Sequence, residues 1–127
     1  MPGLRDIALV ALGGAIGTVG RFLVSYYSAK VLGSAFPWGT LFVNLAGCFA
    51  YGLGFALIAR EFTWSPEARL FFLTGFLGGL TTFSSFGMET VLLGAGGSGY
   101  LAAANVVVNN LGGLALAALG LHLGKLL

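Results

Sequence analysis

The chain has 127 residues, of which 57% are hydrophobic and only 8% are charged, and its formal net charge is +2. A soluble domain carries about 25% charged residues, so the composition excludes an ordinary water-soluble fold. The small net charge gives no basis for a nucleic-acid surface, and we expect no nucleic-acid partner. A single cysteine, Cys48, excludes an internal disulfide and a multi-cysteine metal site. The composition therefore predicts an all-α membrane protein, with residues 1–127 forming one domain in the lipid bilayer.

Four apolar segments are each long enough to cross a bilayer, which takes about 20 residues of α-helix. In chain order, the spans are predicted at about residues 7–29, 38–59, 70–93 and 100–124. Short connections separate them, at residues 33–37, 61–67 and 94–99. In the second connection, we expect Ser65 to cap the third helix and Pro66 to take its first position. The pattern predicts a multi-pass protein of the cell (inner or plasma) membrane.

The membrane orientation of the chain is weakly specified, because the charges are few. Four spans place both termini on one side, together with Arg5, Arg60, Arg69 and Lys125, while Lys30 lies on the other side. The excess of positive charge favours cytoplasmic termini. A bias this small is also compatible with insertion in both orientations.

The third span contains a run from Gly75 to Phe86 in which three glycines are followed by hydroxyl residues and two phenylalanines. This run predicts a helix broken near its middle. A break inside a bilayer leaves backbone groups without partners, and it is tolerated only within protein or beside a watery or ion-binding site. Backbone carbonyls freed there can coordinate a monovalent cation, and two chains supply more of them than one. We therefore expect an ion-handling site and at least a dimer.

Asparagine and phenylalanine side chains mark candidate site positions in the second, third and fourth spans. Asn44 lies in the second span, while Asn105 and Asn109 share a face of the fourth because they are four residues apart. Each amide has two open interpretations, a hydrogen bond between helices or a donor for an anion. Phe83 and Phe86 also have two open interpretations, packing in the protein core or a positive ring edge that faces an anion.

Arg21 and Glu89 carry charges inside predicted spans. Such charges are costly against lipid, so we expect them to face protein or water. They either pair with each other or flank a vestibule at the entrance of an ion path. For Arg21, extension to the membrane surface is the alternative.

Four motifs in order along nearly the whole chain resemble those of the Fluc/CrcB family of fluoride channels. The matching stretches are residues 13–17 with Arg21, residues 39–47, residues 75–86 and residues 105–112. The resemblance implies an antiparallel, dual-topology homodimer of four-helix subunits with two fluoride pores. It also implies a structural sodium ion at the dimer centre, bound by the backbone carbonyls of Gly78 and Thr81 from both subunits, and no organic cofactor.

The resemblance further implies a passive, selective channel that exports fluoride from the cytoplasm and so lowers its toxicity. It places Phe83 and Phe86 along the path as ring edges and Asn44 as a donor. The full set of residues in the implied fluoride pathway is Asn44, Thr82, Phe83, Ser85, Phe86, Asn105 and Asn109.

Two other functions remain as alternatives. A proton-coupled exporter of the small multidrug-resistance type needs a buried carboxylate in its first span, but this span has Arg21 inside and only Asp6 at its edge. A non-conducting subunit of a larger assembly is permitted by the glycine content. No nucleophile, base and orienting group fall together, so we do not expect an enzyme.

Overall fold

The computed structural model describes residues 1–60 and 64–127, so residues 61–63 of the second predicted connection lie outside the described part. The described residues contain no strand. Four helices are long and apolar enough to cross a membrane, at Leu4–Leu32, Trp38–Ala59, Pro66–Ala95 and Gly99–Leu126. The prediction of an all-helical chain with four spans is confirmed. The second span has its predicted bounds, and the other three are one to four residues longer at each end.

The third span is bent in the run singled out from the sequence. Thr81 has an extended backbone, with φ −84° and ψ 155°, and we call residues Thr81–Phe83 the bend. Helical structure covers the rest of the span as Pro66–Arg69, Leu70–Leu77, Gly78–Leu80 and Ser84–Ala95. The Leu70–Leu77 part consists of wider π-helical turns, which often accompany functional sites.

The fourth span also contains a π-helical turn, at Val108–Gly112, between regular helix over Gly99–Val107 and Gly113–Leu126. A π-turn accommodates an extra residue and shifts the side chains that follow it around the helix. Asn109 lies in this turn. Neither π-helical segment was predicted from the sequence.

The connections follow ordinary capping chemistry. The Ser65 hydroxyl accepts a hydrogen bond from the Ala68 N–H at 3.2 Å, and Pro66 is the first helical residue. Both predicted features of this helix start are confirmed. Gly33 and Gly97, in the first and third connections, have φ of 83° and 85°. Only glycine adopts this region without strain, so these two residues allow the chain to turn back into the membrane.

Glycines bring the spans into backbone contact in two pairs. Between the first and third spans, a methyl group built on Gly17 would overlap the Phe76 carbonyl oxygen. Between the second and fourth spans, one built on Gly120 would overlap the Phe49 carbonyl oxygen. Small residues permit this approach in membranes, where van der Waals packing replaces the hydrophobic effect between helices.

Charged groups gather at one end of the bundle. Arg5 and Glu67 form a salt bridge at 3.2 Å, which joins the starts of the first and third spans. The Arg60 guanidinium donates to the Lys125 carbonyl oxygen, which joins the ends of the second and fourth. This grouping agrees with the predicted up-and-down order of four spans.

The contact at Gly17 gives a test of the packing. Gly17→Ala forces the first and third spans apart, and we expect a loss of about 1–3 kcal/mol in unfolding free energy. Gly20→Ala is the matched control on the same helix, since its methyl group would lie 3.6 Å from the Leu80 side chain, an ordinary contact. Both changes gain the same helix propensity. Unfolding in mixed micelles measures the difference, and equal stability of the two variants would contradict the packing.

Candidate functional site

Asn44 satisfies the backbone of the bend. Its amide Nδ2 donates to the Thr82 carbonyl oxygen at 3.0 Å, and its Oδ1 accepts from the Thr82 N–H at 2.8 Å. One side chain from the second span therefore pairs with both backbone groups of one residue in the third. Unpaired backbone groups are costly to bury, and in a bilayer no water is present to replace these bonds.

Arg21 also contacts the third span beside the bend. Its Nε donates to the Gly79 carbonyl oxygen at 3.1 Å, and its Nη1 lies 3.5 Å from the Ser85 hydroxyl. A charged donor strengthens the bond to the carbonyl. The expectation that Arg21 faces protein agrees with this geometry, while its role at an entrance stays a prediction.

Two carbonyls, one just before the bend and one at its first residue, lose their usual helical donors. In a regular α-helix, the carbonyls of Gly78 and Thr81 accept from the N–H groups four residues later, those of Thr82 and Ser85. Here the Thr82 N–H bonds to Asn44, and the Ser85 N–H bonds to the Thr82 hydroxyl at 3.2 Å. A side chain built on Gly78 would meet no atom within 4 Å. Carbonyl oxygens of this kind fit a dehydrated monovalent cation.

A chain of amides extends from the bend into the fourth span. Asn44 Nδ2 donates to Asn109 Oδ1 at 3.0 Å, and Asn109 Nδ2 donates to Asn105 Oδ1 at 2.9 Å. Asn105 Nδ2 then donates to the Thr90 hydroxyl at 2.9 Å, which itself donates to the Phe86 carbonyl at 2.7 Å. We call Asn44, Asn109 and Asn105 the amide chain. It links three of the four spans.

A cavity of about 680 Å³ brings together many of the predicted site residues. The Phe83 ring is 80% exposed in the single chain and the Phe86 ring only 7%. The two ring centroids are 5.5 Å apart and the rings are tilted by 53°. The predicted site residues that line this first cavity are Asn44, Gly78, Thr81, Thr82, Phe83, Phe86 and Asn109.

A second cavity, of about 430 Å³, contains Glu89 and Thr40. The Thr40 hydroxyl donates to Glu89 Oε1 at 2.8 Å. Glu89 Oε2 is buried and has no hydrogen-bond partner among the described residues. Thr40 precedes Asn44 by four residues, and Glu89 follows Phe86 by three, so both lie about one helical turn from a residue of the first cavity.

Some predicted site residues lie elsewhere. Asn105 and Ser85 line neither cavity. Asn110, on a neighbouring face of the fourth span, does line the first cavity, and its amide donates to the Val106 carbonyl of its own helix at 2.8 Å. Thr40 and Thr90 were not among the residues predicted for the site. Helical spacing could have indicated both residues, because Thr40 shares a helical face with Asn44, and Thr90 lies one turn after Phe86.

The fold and the site define a small multi-pass helical membrane protein whose polar side chains gather around a bend in its third span. A family model described as "CrcB-like protein, Camphor Resistance (CrcB)" matches residues 8–121. The chain belongs to this CrcB family, as the resemblance predicted.

Similar proteins carry a consistent name. A fluoride-specific ion channel FluC from Agrobacterium fabrum is 48% identical over 94% of this chain and 96% of its own length. One from Chelativorans sp. is 44% identical over 96% of this chain and 98% of its own length. A third, from Rhizobium johnstonii, is 55% identical over 67% of this chain and 68% of its own length. These names describe ion channels rather than enzymes.

The pairing of Asn44 with Thr82 gives a second test. Asn44→Leu keeps the branched shape and the number of non-hydrogen atoms but leaves the Thr82 backbone groups without their partner, and we expect a loss of about 1–3 kcal/mol in unfolding free energy. Deuterium exchange at the Thr82 amide should also become faster.

Asn110→Leu serves as the control, because the Asn110 amide bonds only within its own helix. It should leave exchange at Thr82 unchanged. Slow exchange at Thr82 in the Asn44→Leu protein would show that Asn44 does not protect the bend.

Proposed function

We propose that the protein is a passive, selective fluoride channel that exports fluoride from the cytoplasm and lowers its toxicity. The observation that carries the proposal is the hydrogen-bonded bend at Thr82. It lines a largely apolar cavity between the membrane spans, into which the amides of Asn44 and Asn109 and two phenylalanine rings are placed. The names of similar proteins supply the identity of the ion. Fluoride enters acidified cells as neutral HF and dissociates inside, so a passive channel suffices to release it down its gradient.

Fluoride is small and strongly hydrated, so a pore must replace its water with hydrogen-bond donors. Helical structure resumes at Ser84, and the first N–H groups of that segment face the bend region with the positive end of the helix dipole. The Thr82 and Ser84 hydroxyls lie 3.4 Å apart beside these groups. The rings of Phe83 and Phe86 add positive edges without a strong charge that would hold the ion.

The proposed path connects the two cavities. Thr40 and Asn44 lie one turn apart on the second span, and Phe86 and Glu89 lie one turn apart on the third, so each pair reaches from one cavity to the other. Glu89 and Arg21 are proposed at the entrance. The proposed path residues that line the first cavity are Asn44, Thr82, Phe83, Phe86 and Asn109. Asn105 and Ser85, which were also predicted for the path, line neither cavity and are proposed to support it.

We further propose an antiparallel, dual-topology homodimer with two pores and a third helix broken near its middle in each subunit. Two observations support a second copy at the bend. Phe83 is 80% exposed in the single chain, and the backbone at Gly78 faces open space. Freed carbonyls beside lipid would be unfavourable, and a second subunit at this point would cover them together with the Phe83 ring.

A structural sodium ion at the centre of that dimer is the proposed cofactor. The carbonyls of Gly78 and Thr81 would hold it, because the N–H groups that normally bond them are used by side chains. Its role is to stabilise the junction of two bends, and no step of fluoride transfer passes through it.

The exporter alternative gains no support from the site. The charged side chain inside the first span is Arg21, bonded to the third span, and Asp6 accepts from the Gly3 N–H at the helix start. The buried proton-carrying carboxylate of such an exporter is therefore missing from the described first span.

Reconstituted vesicles test the function directly. Liposomes containing the purified protein are loaded with fluoride, and efflux is followed with a fluoride electrode under a potassium gradient with valinomycin. We expect rapid fluoride release and no comparable release from chloride-loaded vesicles. Well-folded protein that releases neither ion would sink the channel proposal, and equal release of both would remove its selectivity.

The phenylalanine rings provide the next test. Phe83→Ile and Phe86→Ile remove the ring edges while keeping apolar bulk, and we expect each to lower fluoride flux by roughly tenfold or more, a change of about 1.4 kcal/mol. Phe72→Ile is the control, because Phe72 packs on Trp64 in the first part of the third span. Normal flux in both site variants would place the rings outside the path.

Sodium removal tests the proposed cofactor. When the site is saturated, each tenfold increase in sodium should raise stability by about 1.4 kcal/mol. We expect thermal unfolding to move upward with sodium but not with N-methylglucamine. Thr81→Ser should keep this dependence, since the carbonyl is retained. A melting temperature that is independent of sodium would argue against the ion.

A further inference from the structure

We propose that Asn105 is a positioning residue, which acts through Asn109 to hold the Asn44 carboxamide in the orientation that pairs with the bend. The inference rests on the proposed function, since the bend is where fluoride is proposed to pass. Asn105 is 0% exposed even in the single chain and lines neither cavity. Its geometry offers contact with other side chains rather than with a permeating ion.

The Thr90 hydroxyl determines which group donates and which accepts in every hydrogen bond of the amide chain. The Thr90 hydroxyl has a single proton, which it donates to the Phe86 carbonyl. Towards Asn105, that hydroxyl can therefore only accept, so the Nδ2 of Asn105 must face it. The Oδ1 of Asn105 then points to the fourth-span π-turn, where it accepts from Asn109 Nδ2.

Asn109 transmits this orientation to the second span. Its Nδ2 has two acceptors on Asn105, the backbone carbonyl at 3.0 Å and Oδ1 at 2.9 Å. Its own Oδ1 must then face Asn44, which offers Nδ2 at 3.0 Å. This leaves the Oδ1 of Asn44 for the Thr82 N–H.

The reversed amide would disrupt the bend. A flipped Asn44 would place its NH2 group against the Thr82 N–H and its oxygen against the Thr82 carbonyl, so both contacts would become repulsive. The two ends of a carboxamide have nearly the same shape, and only hydrogen bonding distinguishes them. The relay from Thr90 supplies that distinction over four residues and three spans.

Thr90 provides a variant pair that tests the relay with little change in volume. Thr90→Val removes the hydroxyl, and Thr90→Ser keeps it. The chain contains four asparagines, at positions 44, 105, 109 and 110, so asparagine labelled with ¹⁵N gives four side-chain NH2 signals. Single substitutions assign them, and the protein is measured as full-length chain in detergent or nanodiscs.

In Thr90→Val, we expect the NH2 signal of Asn44 to shift and fluoride efflux to fall by roughly tenfold, as when a buried polar partner is lost. Thr90→Ser should restore both. The Asn110 signal is the internal control, because that amide bonds to its own helix. A general loss of packing would move all four signals and would not be restored by the serine hydroxyl alone.

An unchanged Asn44 signal in Thr90→Val, or a shifted signal with normal efflux, would overturn the proposal. Should Thr90→Val not fold, Asn105→Ser shortens the side chain between Thr90 and Asn109. We then expect the same shift of the Asn44 signal and the same fall in fluoride efflux. The signals are recorded without a transport assay, so they test the relay even where the unmodified protein shows no fluoride flux. An unmodified protein without fluoride flux would instead remove the proposed function.

Discussion

The structure depends on one constraint, the need to satisfy a bent backbone where no water is available. Thr82 has both of its backbone groups bonded by Asn44, and the Gly79 carbonyl is bonded by Arg21. The Thr82 hydroxyl then accepts from the Ser85 N–H at the start of the next helical segment. Each of these bonds needs a polar side chain at a particular position. The bend therefore determines which positions of the first, second and third spans must be polar.

Close packing makes those bonds possible. A methyl group built on Gly47 would overlap the Thr81 side chain, and one on Gly79 would overlap the Gly14 carbonyl oxygen. The second span can therefore approach the bend closely enough for Asn44, one turn before Gly47, to reach Thr82. The glycines serve two purposes. They permit the van der Waals packing that holds helices together in a membrane, and they bring short side chains within hydrogen-bonding distance.

The chain order of the spans, the helix start at Ser65 and the unusual character of residues 75–86 could be predicted from sequence, because each is set by local composition. The partners of the site residues could not. Asn44 bonds a residue 38 positions away and Arg21 one 58 positions away, and only packing selects those partners. The π-turn at Val108–Gly112 was also missed, since no local residue pattern distinguishes it from regular helix.

For Asn105, the sequence could not separate two roles. Spacing alone put it on one face with Asn109, which suits both a pore lining and a bond between helices. The structure shows complete burial and a bond to Thr90, a residue that spacing did not connect with the fourth span. Burial of a side chain depends on the neighbouring spans, so it is not visible in the periodicity of one helix.

The central claim is that fluoride is recognised at the bend, and a chemical-shift titration tests it most directly. Uniformly ¹⁵N-labelled protein in nanodiscs is titrated with fluoride and, separately, with chloride, and the backbone and asparagine side-chain amide signals are compared. The account predicts saturable shifts with fluoride at the amides of Phe83 and Ser84 and in the side-chain signals of Asn44, with none from chloride. Fluoride shifts confined to the helix ends, or the same shifts with chloride, would contradict it.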